Sequence, residues 1–259
     1  MNKVKFPGYK YEKGVSTYQG ETVGEGGYVY SEPGVHHNVA VLDIASMHPS
    51  SVEAMNMFGP YTEKYSEIKN ARLAIKHGDM DYARKALDGS LVPFLESGKK
   101  EDLDALSDAL KIVINSVYGL TSAKFPNRFL DPRNIDNIVA KRGALFMIDL
   151  KLMVQEAGFD AVHIKTDSIK IPDATDEIIK MVMDFGAEYG YTFEFEDTYK
   201  TMALVNKAVY IADATGRDGE RYWSATGAMF QNPYVYSVMF GDGSYSLEDL
   251  RETDRKSVV

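Results

Sequence analysis

Residues 39–51 have the sequence VAVLDIASMHPSS, in which a short apolar run ends in a single carboxylate. The run is rich in β-branched residues and follows turn residues, so it predicts a buried strand over residues 39–44. Asp43 stands where this strand ends and the chain turns into a helix, a position that suits a metal ligand. A turn or helix-capping role is the commoner interpretation of one such aspartate.

A second carboxylate, Asp167, interrupts the strand-like sequence HIKTDSIKI at residues 163–171 and is followed by serine. The pattern predicts a strand pair with Asp167 at the tip of the hairpin, and taken alone this residue is most simply a turn residue. If the strands that carry Asp43 and Asp167 are neighbours in one sheet, the two carboxylates can share a pair of divalent ions roughly 4 Å apart.

From Pro60 the chain becomes charged and helix-favouring, with breaks at Gly78 and around residues 89–98. We predict two antiparallel helices, the second over about residues 101–118 and ending at Gly119. Its predicted apolar stripe consists of Leu103, Leu106, Leu110, Val113 and Val117. A second stripe puts Lys111, Asn115 and Tyr118 on one face, which is either a solvated surface or the approach to a flat ligand.

The elements that follow alternate between helix and strand. Asp131 and Pro132 predict the start of a long helix, because an N-cap acceptor precedes a proline, and Gly158 predicts its end. After the strand pair we expect a helix over about residues 175–189 and strands at about 191–195 and 208–212. This order predicts the α+β class, with an antiparallel sheet backed by helices and a helical hairpin inserted into it.

Composition narrows the classes of protein. The chain has 259 residues, 44% of them hydrophobic, which predicts a folded globular protein. It contains no cysteine, which excludes disulfides, thiolate zinc sites and cysteine nucleophiles and fits a cytoplasmic setting. No segment has the apolar length of a membrane span or signal peptide, so we expect no membrane contact. The formal charge of −9 argues against a protein that only coats nucleic acid, whereas an enzyme that holds divalent ions needs carboxylates.

Three segments, in this order, resemble the polymerase motifs of family B (alpha-type) DNA polymerases: LDIASMHPSS at residues 42–51, KIVINSVYG at 111–119 and KTDS at 165–168. The family patterns are D-x-x-S-L-Y-P-S, K-x-x-x-N-S-x-Y-G and D-T-D-S. KAVY at residues 207–210 is similar to the K-K-x-Y element that follows them, and GEGG at 24–27 is weakly similar to the preceding Y-x-G-G element. The ordered set spans most of the chain and is more specific than any single motif.

The resemblance implies a right-hand polymerase whose palm is interrupted by fingers. The implied domains are a palm with a preceding linker-like segment at 1–59, fingers at 60–119, palm again at 120–213, and a tail at 214–259 that begins a thumb or covers the palm. The implied function is template-directed addition of deoxynucleotides to a primer 3′-hydroxyl by two-metal catalysis, without a proofreading domain on this chain. A separate chain would then supply exonuclease or thumb, and the size hints at a bacteriophage protein in the host cytoplasm.

The resemblance also implies roles for individual residues. Asp43, Asp167 and the backbone carbonyl of Ile44 would hold two Mg²⁺ ions, with Mn²⁺ as an alternative. The implied nucleotide-binding residues are Ser46, Met47, His48, Arg72, Lys76, Lys111, Asn115 and Tyr118. Lys207 and Tyr210 would contact the primer-template duplex. Arg72 and Lys76 match the family's Arg-x-x-x-Lys spacing on the first finger helix, with Arg84 as a rival for the arginine.

Two positions depart from the family patterns. Lys165 replaces the first aspartate of D-T-D-S, and His48 replaces a tyrosine that packs on the sugar. The missing carboxylate leaves a second hypothesis open, a non-catalytic DNA-binding or assembly subunit with a degenerate palm. A nucleotidyltransferase that uses a protein primer is a third. Retention of both Asp43 and Asp167 favours the active enzyme, because a scaffold has no use for two facing carboxylates.

Overall fold

The computed structural model of the protein describes residues 6–24, 26–131, 137–216 and 219–227. Within these ranges the chain forms a seven-stranded sheet, a separate three-stranded sheet and seven α-helices. Neighbouring strands pair antiparallel throughout both sheets. An antiparallel sheet combined with helices confirms the predicted α+β class.

The large sheet carries the strand predicted from the VAVLDI sequence at its centre. In chain order the strands are β1 (Lys10–Glu12), β2 (Val15–Tyr18), β3 (Glu21–Val23), β4 (Val29–Ser31), β5 (Gly34–Ile44), β6 (His163–Lys165), β7 (Ser168–Pro172), β8 (Phe193–Asn206), β9 (Val209–Thr215) and β10 (Arg221–Thr226). Strands β1 to β3 form the small sheet, and the large sheet has the order β10-β9-β8-β5-β7-β6-β4. Strand β5 therefore pairs with two strands that come far later in the chain.

The helices divide into an inserted group and a group that backs the sheet. They are α1 (Met47–Ala54), α2 (Thr62–His77), α3 (Met80–Lys85), α4 (Val92–Leu95), α5 (Lys100–Leu120), α6 (Ile138–Glu156) and α7 (Asp176–Glu188). The 3₁₀ turn Gly59–Tyr61 lies between α1 and α2, and the 3₁₀ turn Ala86–Gly89 lies between α3 and α4. Helices α2 to α5 form the inserted group, whereas α6 and α7 back the sheet. Helix α7 begins where the sequence predicts, because the Thr175 side chain accepts a hydrogen bond from the Ile178 N–H as its N-cap.

One face of the large sheet is buried against α6 and α7. Leu42 and Ile44 of β5 belong to the same core cluster as Phe146 of α6 and Ile178 of α7. Successive side chains on a strand point to opposite faces, so Asp43 lies on the face turned away from these helices. The alternation along β5 therefore keeps this carboxylate out of the main core.

The inserted helices have a small core of their own. Helices α2 and α5 share a buried cluster that includes Ala71, Ile75, Leu95 and Leu110. Helix α2 ends at Gly78, whose φ of 79° is the left-handed conformation that favours glycine at a helix end. Helices α2 to α5 therefore form a helical unit with a core of its own.

The predicted apolar stripe of α5 is wrong at Val113, and the side chain of Val117 lies outside the described ones. Val113 is 45% exposed, whereas Ile114 is 2% exposed and packs against Val52 and Tyr65. With 3.6 residues per turn, the centre of the buried face runs through Leu110 and Ile114, and Val113 falls about a quarter turn away. The sequence shows that both residues are apolar but not which of them faces the core.

Several predicted boundaries also differ from the structure. Strand β5 begins at Gly34 rather than at Val39, and the strand predicted at about 191–195 runs from Phe193 to Asn206. Helix α6 begins at Ile138 with Asn137 at its N-cap, later than the predicted start at Asp131, while Pro132 lies outside the described residues. The large sheet continues past residue 213, because β9 extends to Thr215 and β10 pairs with it. The first part of the predicted tail is thus an edge of the sheet, and residues 228–259 lie outside the described ranges. In the described ranges no helix combines the length and apolar character that crossing a bilayer requires.

We expect Gly186→Ala to destabilise the fold by about 1–3 kcal/mol, the usual cost of overpacking a close contact. A methyl group at this position of α7 would lie 2.6 Å from Cδ2 of the Phe193 ring. Phe193 is only 5% exposed, and side chains in a closely packed interior have little room to move. Urea unfolding followed by circular dichroism measures the change.

The matched control is Gly119→Ala on α5, where an added methyl group meets no atom within 4 Å. Helix propensity should make this control neutral or slightly stabilising. Equal losses in the two variants would contradict the proposed contact between α7 and β8.

Candidate active site

The two aspartates singled out by the sequence meet at one edge of the large sheet. Asp43 is in register with Ser168 of β7, the residue that follows Asp167. The Ile44 N–H donates a hydrogen bond of 2.9 Å to the carbonyl oxygen of Asp167. Thr166 has a left-handed φ of 57°, so the β6–β7 hairpin turns sharply and brings Asp167 beside the end of β5.

The environment of this pair disfavours its ionised form. Burial raises the pKa of Asp43 to about 7, and the negative charges of Asp167 and Glu196 add to the effect, while Lys170 and Lys76 oppose it. Burial also raises the pKa of Asp167, against the influence of nearby cations. The nearby cations therefore offset only part of the effect of burial on the two carboxylates.

The donor set of this edge fits magnesium. Mg²⁺ is commonly held by one or two carboxylates together with waters and substrate phosphates. The described residues contain no group of three or more histidine, aspartate or glutamate side chains arranged to hold a metal ion. Two aspartates and the Ile44 carbonyl are oxygen donors of the kind that Mg²⁺ prefers, and a divalent cation would relieve the repulsion between the carboxylates.

The chain leaves β5 through a conformation that exposes backbone N–H groups. Ser46 has φ 61° and ψ 57° and stands before the first residue of α1, Met47. Its hydroxyl accepts a hydrogen bond of 3.0 Å from Nη1 of Arg72 on α2. The first N–H groups of a helix have no partner within the helix, so this segment presents donors suited to phosphate oxygens.

A cleft of about 310 Å³ separates the sheet edge from the inserted helices. It brings together most of the predicted site residues from distant parts of the chain. Its lining includes Asp43, Ile44, Ser46, Met47, His48, Arg72, Lys76, Lys111, Asn115 and Asp167. Arg84, the rival for Arg72, lies on α3 and pairs with Asp81 at 3.7 Å.

Tyr118 packs against His48, which lines the cleft. The two rings stack with centroids 5.6 Å apart and planes inclined by 30°, and the Tyr118 hydroxyl donates to Oδ1 of Asn137 at 2.7 Å. Burial lowers the pKa of His48, so its imidazole is neutral near pH 7. In the described structure its Nδ1 is buried without a hydrogen-bond partner. This ring pair forms a flat surface at one side of the cleft.

Lys76 has a partner that the sequence did not suggest. Its Nζ lies 3.2 Å from Oε2 of Glu194, and Nε2 of His77 lies 2.9 Å from Oε1 of the same carboxylate. Glu194 belongs to β8 and is in register with Asp43. These contacts tie α2 to the sheet beside the aspartate pair.

The two predicted DNA-binding residues differ in exposure. Lys207 is exposed in the turn between β8 and β9. Tyr210 is only 8% exposed, and its hydroxyl lies 3.5 Å from that of Tyr199. Tyr210 is therefore too buried to contact DNA at the surface in this conformation. Its ring packs instead against buried neighbours, among them Lys170, whose Nζ lies 5.5 Å from the ring centre.

Three charged residues near the aspartates were missed from the sequence: Lys170, Glu194 and Glu196. Each occupies one face of a strand whose other face is apolar, in the sequences SIKIP and FEFED. That period-two pattern is the signal that could have identified them.

We expect Asp43→Asn to stabilise the metal-free fold by about 1–2 kcal/mol at pH 8, after discounting for solvent screening of a part-exposed carboxylate. The folded-state pKa of Asp43 is raised, so the wild-type chain loses stability as pH rises from about 4 to about 7 and the ionised form accumulates. The advantage of the variant should therefore disappear near pH 4. Thermal unfolding in EDTA across this range measures it.

Asp160→Asn is the control, because Asp160 is exposed in a loop. A stability gain of equal size in this control, or a gain that does not depend on pH, would contradict the assigned environment of Asp43.

Comparison with known proteins gives the following relatives. No protein-family model matches the chain. The chain is 31% identical over 157 residues to DNA polymerase II of Escherichia coli (strain K12), which covers 55% of this chain and 19% of that protein. It is 25% identical over 206 residues to a DNA polymerase of Archaeoglobus fulgidus, which covers 72% of this chain and 26% of the relative. The chain thus spans about a quarter or less of the length of these relatives.

The fold has a match among solved structures. The family B DNA polymerase of the hyperthermophilic archaeon Pyrobaculum calidifontis superposes with a TM-score of 0.51 over 86% of this chain and 32% of that one, at 16% sequence identity. At 16% sequence identity this match shows a similar fold only. The two sequence relatives are a separate observation. Together with the ordered motifs that line the cleft, these similarities support a relationship of this chain to the family B DNA polymerases.

Proposed function

We propose that this chain forms the palm and fingers of a template-directed DNA polymerase that adds deoxynucleotides to a primer 3′-hydroxyl. The observation that carries the proposal is the opposition of two carboxylates on adjacent strands to a cationic helical surface across one cleft. Nucleotidyl transfer needs this combination, because the reacting phosphate is negative and must approach a site that activates a hydroxyl. In this proposal the sheet is the palm and residues 60–119 are the fingers.

The carboxylate edge would hold the metal ions. Asp43, Asp167 and the Ile44 carbonyl are the residues we assign to two Mg²⁺ ions, or to Mn²⁺ in their place. When bound, such ions activate the attacking hydroxyl and stabilise charge on the transferred and leaving phosphates. Asp43 and Asp167 must be ionised for this role, and the cation favours that form of a carboxylate with a raised pKa.

The opposite side of the cleft would hold the triphosphate. Arg72 and Lys111 supply positive charge, and Asn115 supplies an amide on the same face of α5 as Lys111. The backbone at Ser46 and Met47 offers N–H donors to phosphate oxygens. Lys76 is bound to Glu194 and reaches the triphosphate only when that ion pair opens.

His48 and Tyr118 would contact the nucleoside. Their stacked rings offer a flat surface for the sugar and the new base pair. We therefore assign the discrimination between ribose and deoxyribose to His48.

The duplex would be held weakly by these residues alone. Exposed Lys207 provides a phosphate contact, but the chain has a formal charge of −9. Binding to duplex depends largely on phosphate neutralisation and weakens as salt rises. We therefore propose that further grip, and editing where it occurs, come from additional protein, either as a separate chain or as further domains.

The chain of 259 residues should extend a primer weakly and distributively in the presence of Mg²⁺ or Mn²⁺ and leave mismatched ends untrimmed. Asp167→Asn should abolish extension, because it removes a metal-binding charge with little change of shape. Lys165→Asp should preserve or raise activity, because it adds a carboxylate beside the pair. Primer extension over a range of enzyme and salt concentrations measures these effects.

Asp160→Asn is the control for Asp167→Asn and should extend primers like the wild-type chain. The alternative, a non-catalytic DNA-binding or assembly subunit, predicts neither extension nor metal-dependent binding of a triphosphate, even with a partner chain added. That outcome would replace the polymerase proposal.

We expect Lys111→Met to raise the KM for the deoxynucleoside triphosphate about 10- to 100-fold, the effect of losing one charge-assisted hydrogen bond. The KM for primer-template should change little, because Lys111 lies on the triphosphate side of the cleft. Steady-state kinetics with each substrate varied in turn measures both constants.

Lys180→Met is the matched control, because Lys180 is 74% exposed on α7 and pairs with Asp184. Unchanged triphosphate KM in Lys111→Met would remove Lys111 from the proposed binding site.

A further inference from the structure

Lys170 is a buried lysine beneath the aspartate pair, and the proposed chemistry does not use it. It is 4% exposed and lies on β7, in register with Val41 of β5 and His163 of β6. Residues two apart on a strand share a face, so Lys170 lies on the same side of β7 as Ser168, the register partner of Asp43. The Lys170 side chain therefore lies on the same face of the sheet as Asp43, two residues along β7 from the residue that pairs with Asp43.

The direct contacts of the ammonium group satisfy it only in part. Nζ donates a hydrogen bond of 3.3 Å to the Ser168 hydroxyl and lies 5.5 Å from the centre of the Tyr210 ring. Within the described ranges it forms no ion pair with a carboxylate within 4 Å. A buried ammonium needs compensating negative charge, and one hydroxyl with one aromatic ring supply little of it.

Tyr210, Asp43 and Glu196 are the groups that favour the charged ammonium, with Tyr210 contributing most. Asp43 is a diagonal neighbour of Lys170 on one face of the β5–β7 pair, because Val41 pairs with Lys170 and Asp43 pairs with Ser168. Burial lowers the pKa of Lys170, whereas Tyr210, Asp43 and Glu196 act in the opposite direction. Lys170 in turn is one of the two cations that oppose the raised pKa of Asp43. Lys170 and the carboxylates therefore favour each other's charged forms, because charges in the protein interior are poorly screened.

We propose that Lys170 is a built-in counter-ion of Asp43 and Glu196 that stands in for part of the metal charge and weakens binding of divalent cations at the aspartate pair. The assignment of metal ions to that pair rests on the proposed function, whereas the charge pairing itself does not. Lys170 is in this view a positioning residue. Its ammonium is held in place by Ser168 and Tyr210 and acts on the carboxylates from below, so it touches neither nucleotide nor primer.

The geometry predicts a consequence for the site with and without metal. Without metal, Lys170 offsets the repulsion among carboxylates that the sheet has brought together. With metal, the ammonium repels the cation, so the affinity is lower than the carboxylates alone would give. The site is then stable when empty and releases ions readily.

The first test is Mn²⁺ binding by isothermal titration calorimetry to the wild-type chain, Lys170→Met and Lys170→Arg. Lys170→Met should bind Mn²⁺ about three- to tenfold more tightly, because one neighbouring positive charge is removed. Lys170→Arg keeps the charge and should stay within about twofold of wild type. Lys180→Met, which removes a charge from an exposed helix, should leave the affinity unchanged.

The second test is a double-mutant cycle in EDTA that combines Lys170→Met with Asp43→Asn. If the two groups compensate each other, the stability change caused by Lys170→Met should differ between the wild-type and Asp43→Asn backgrounds. Lys170→Gln takes the place of the methionine variant if that variant does not fold. The cycle requires neither catalysis nor bound metal.

The outcomes separate this inference from the proposed function. Unchanged or weaker Mn²⁺ binding in Lys170→Met, or additive stability changes in the cycle, would overturn the counter-ion role. A wild-type chain that binds no Mn²⁺ would count against the metal site of the proposed polymerase, while the double-mutant cycle would still decide whether Lys170 and Asp43 are paired.

Discussion

The pairing of β5 with β7 is the interaction on which the rest of the structure depends. The hydrogen bond from the Ile44 N–H to the Asp167 carbonyl closes the end of this pair, and the register Asp43↔Ser168 fixes the carboxylates on neighbouring strands. A slip of one residue would turn Asp43 into the core formed with α6. The apolar partners Leu42 and Ile44 prevent this slip, because they would then face away from the helical layer.

The same pairing sets an electrostatic problem that the fold solves with three basic side chains. Antiparallel strands bring carboxylates from three segments to one edge, and burial there raises the pKa of Asp43. Lys170 lies on β7, opposite Val41 and on the same face of the sheet as Asp43. Lys76 and His77 of α2 contact Glu194, which is in register with Asp43. These basic side chains lie around the aspartates, and within the described residues none of them forms a direct ion pair with Asp43 or Asp167. This arrangement leaves the carboxylate oxygens open toward the cleft.

Contacts between sheet and inserted helices give the cleft its shape. Arg72 bonds to Ser46 at the start of α1, and Tyr118 stacks on His48 two residues further along the chain. Both contacts join the helical insertion to the segment that leaves β5. The groups that we assign to the triphosphate therefore depend on the same short segment as the carboxylate Asp43, so a shift of the insertion would change charge and geometry together.

The sequence by itself predicted the kinds and order of the central elements, and it proposed most of the residues that line the cleft. Apolar period, caps and breaks predicted β5, the β6–β7 hairpin, α5 and α7, because these signals act between residues close in the chain. The ordered motifs indicated the family. Only the tertiary structure decided that Ile114 rather than Val113 is buried, that Tyr210 is enclosed, and that Lys170 and Glu194 stand beside Asp43. Periodicity shows which residues share a face, but pairing between strands distant in the chain decides which face is buried and which charges meet.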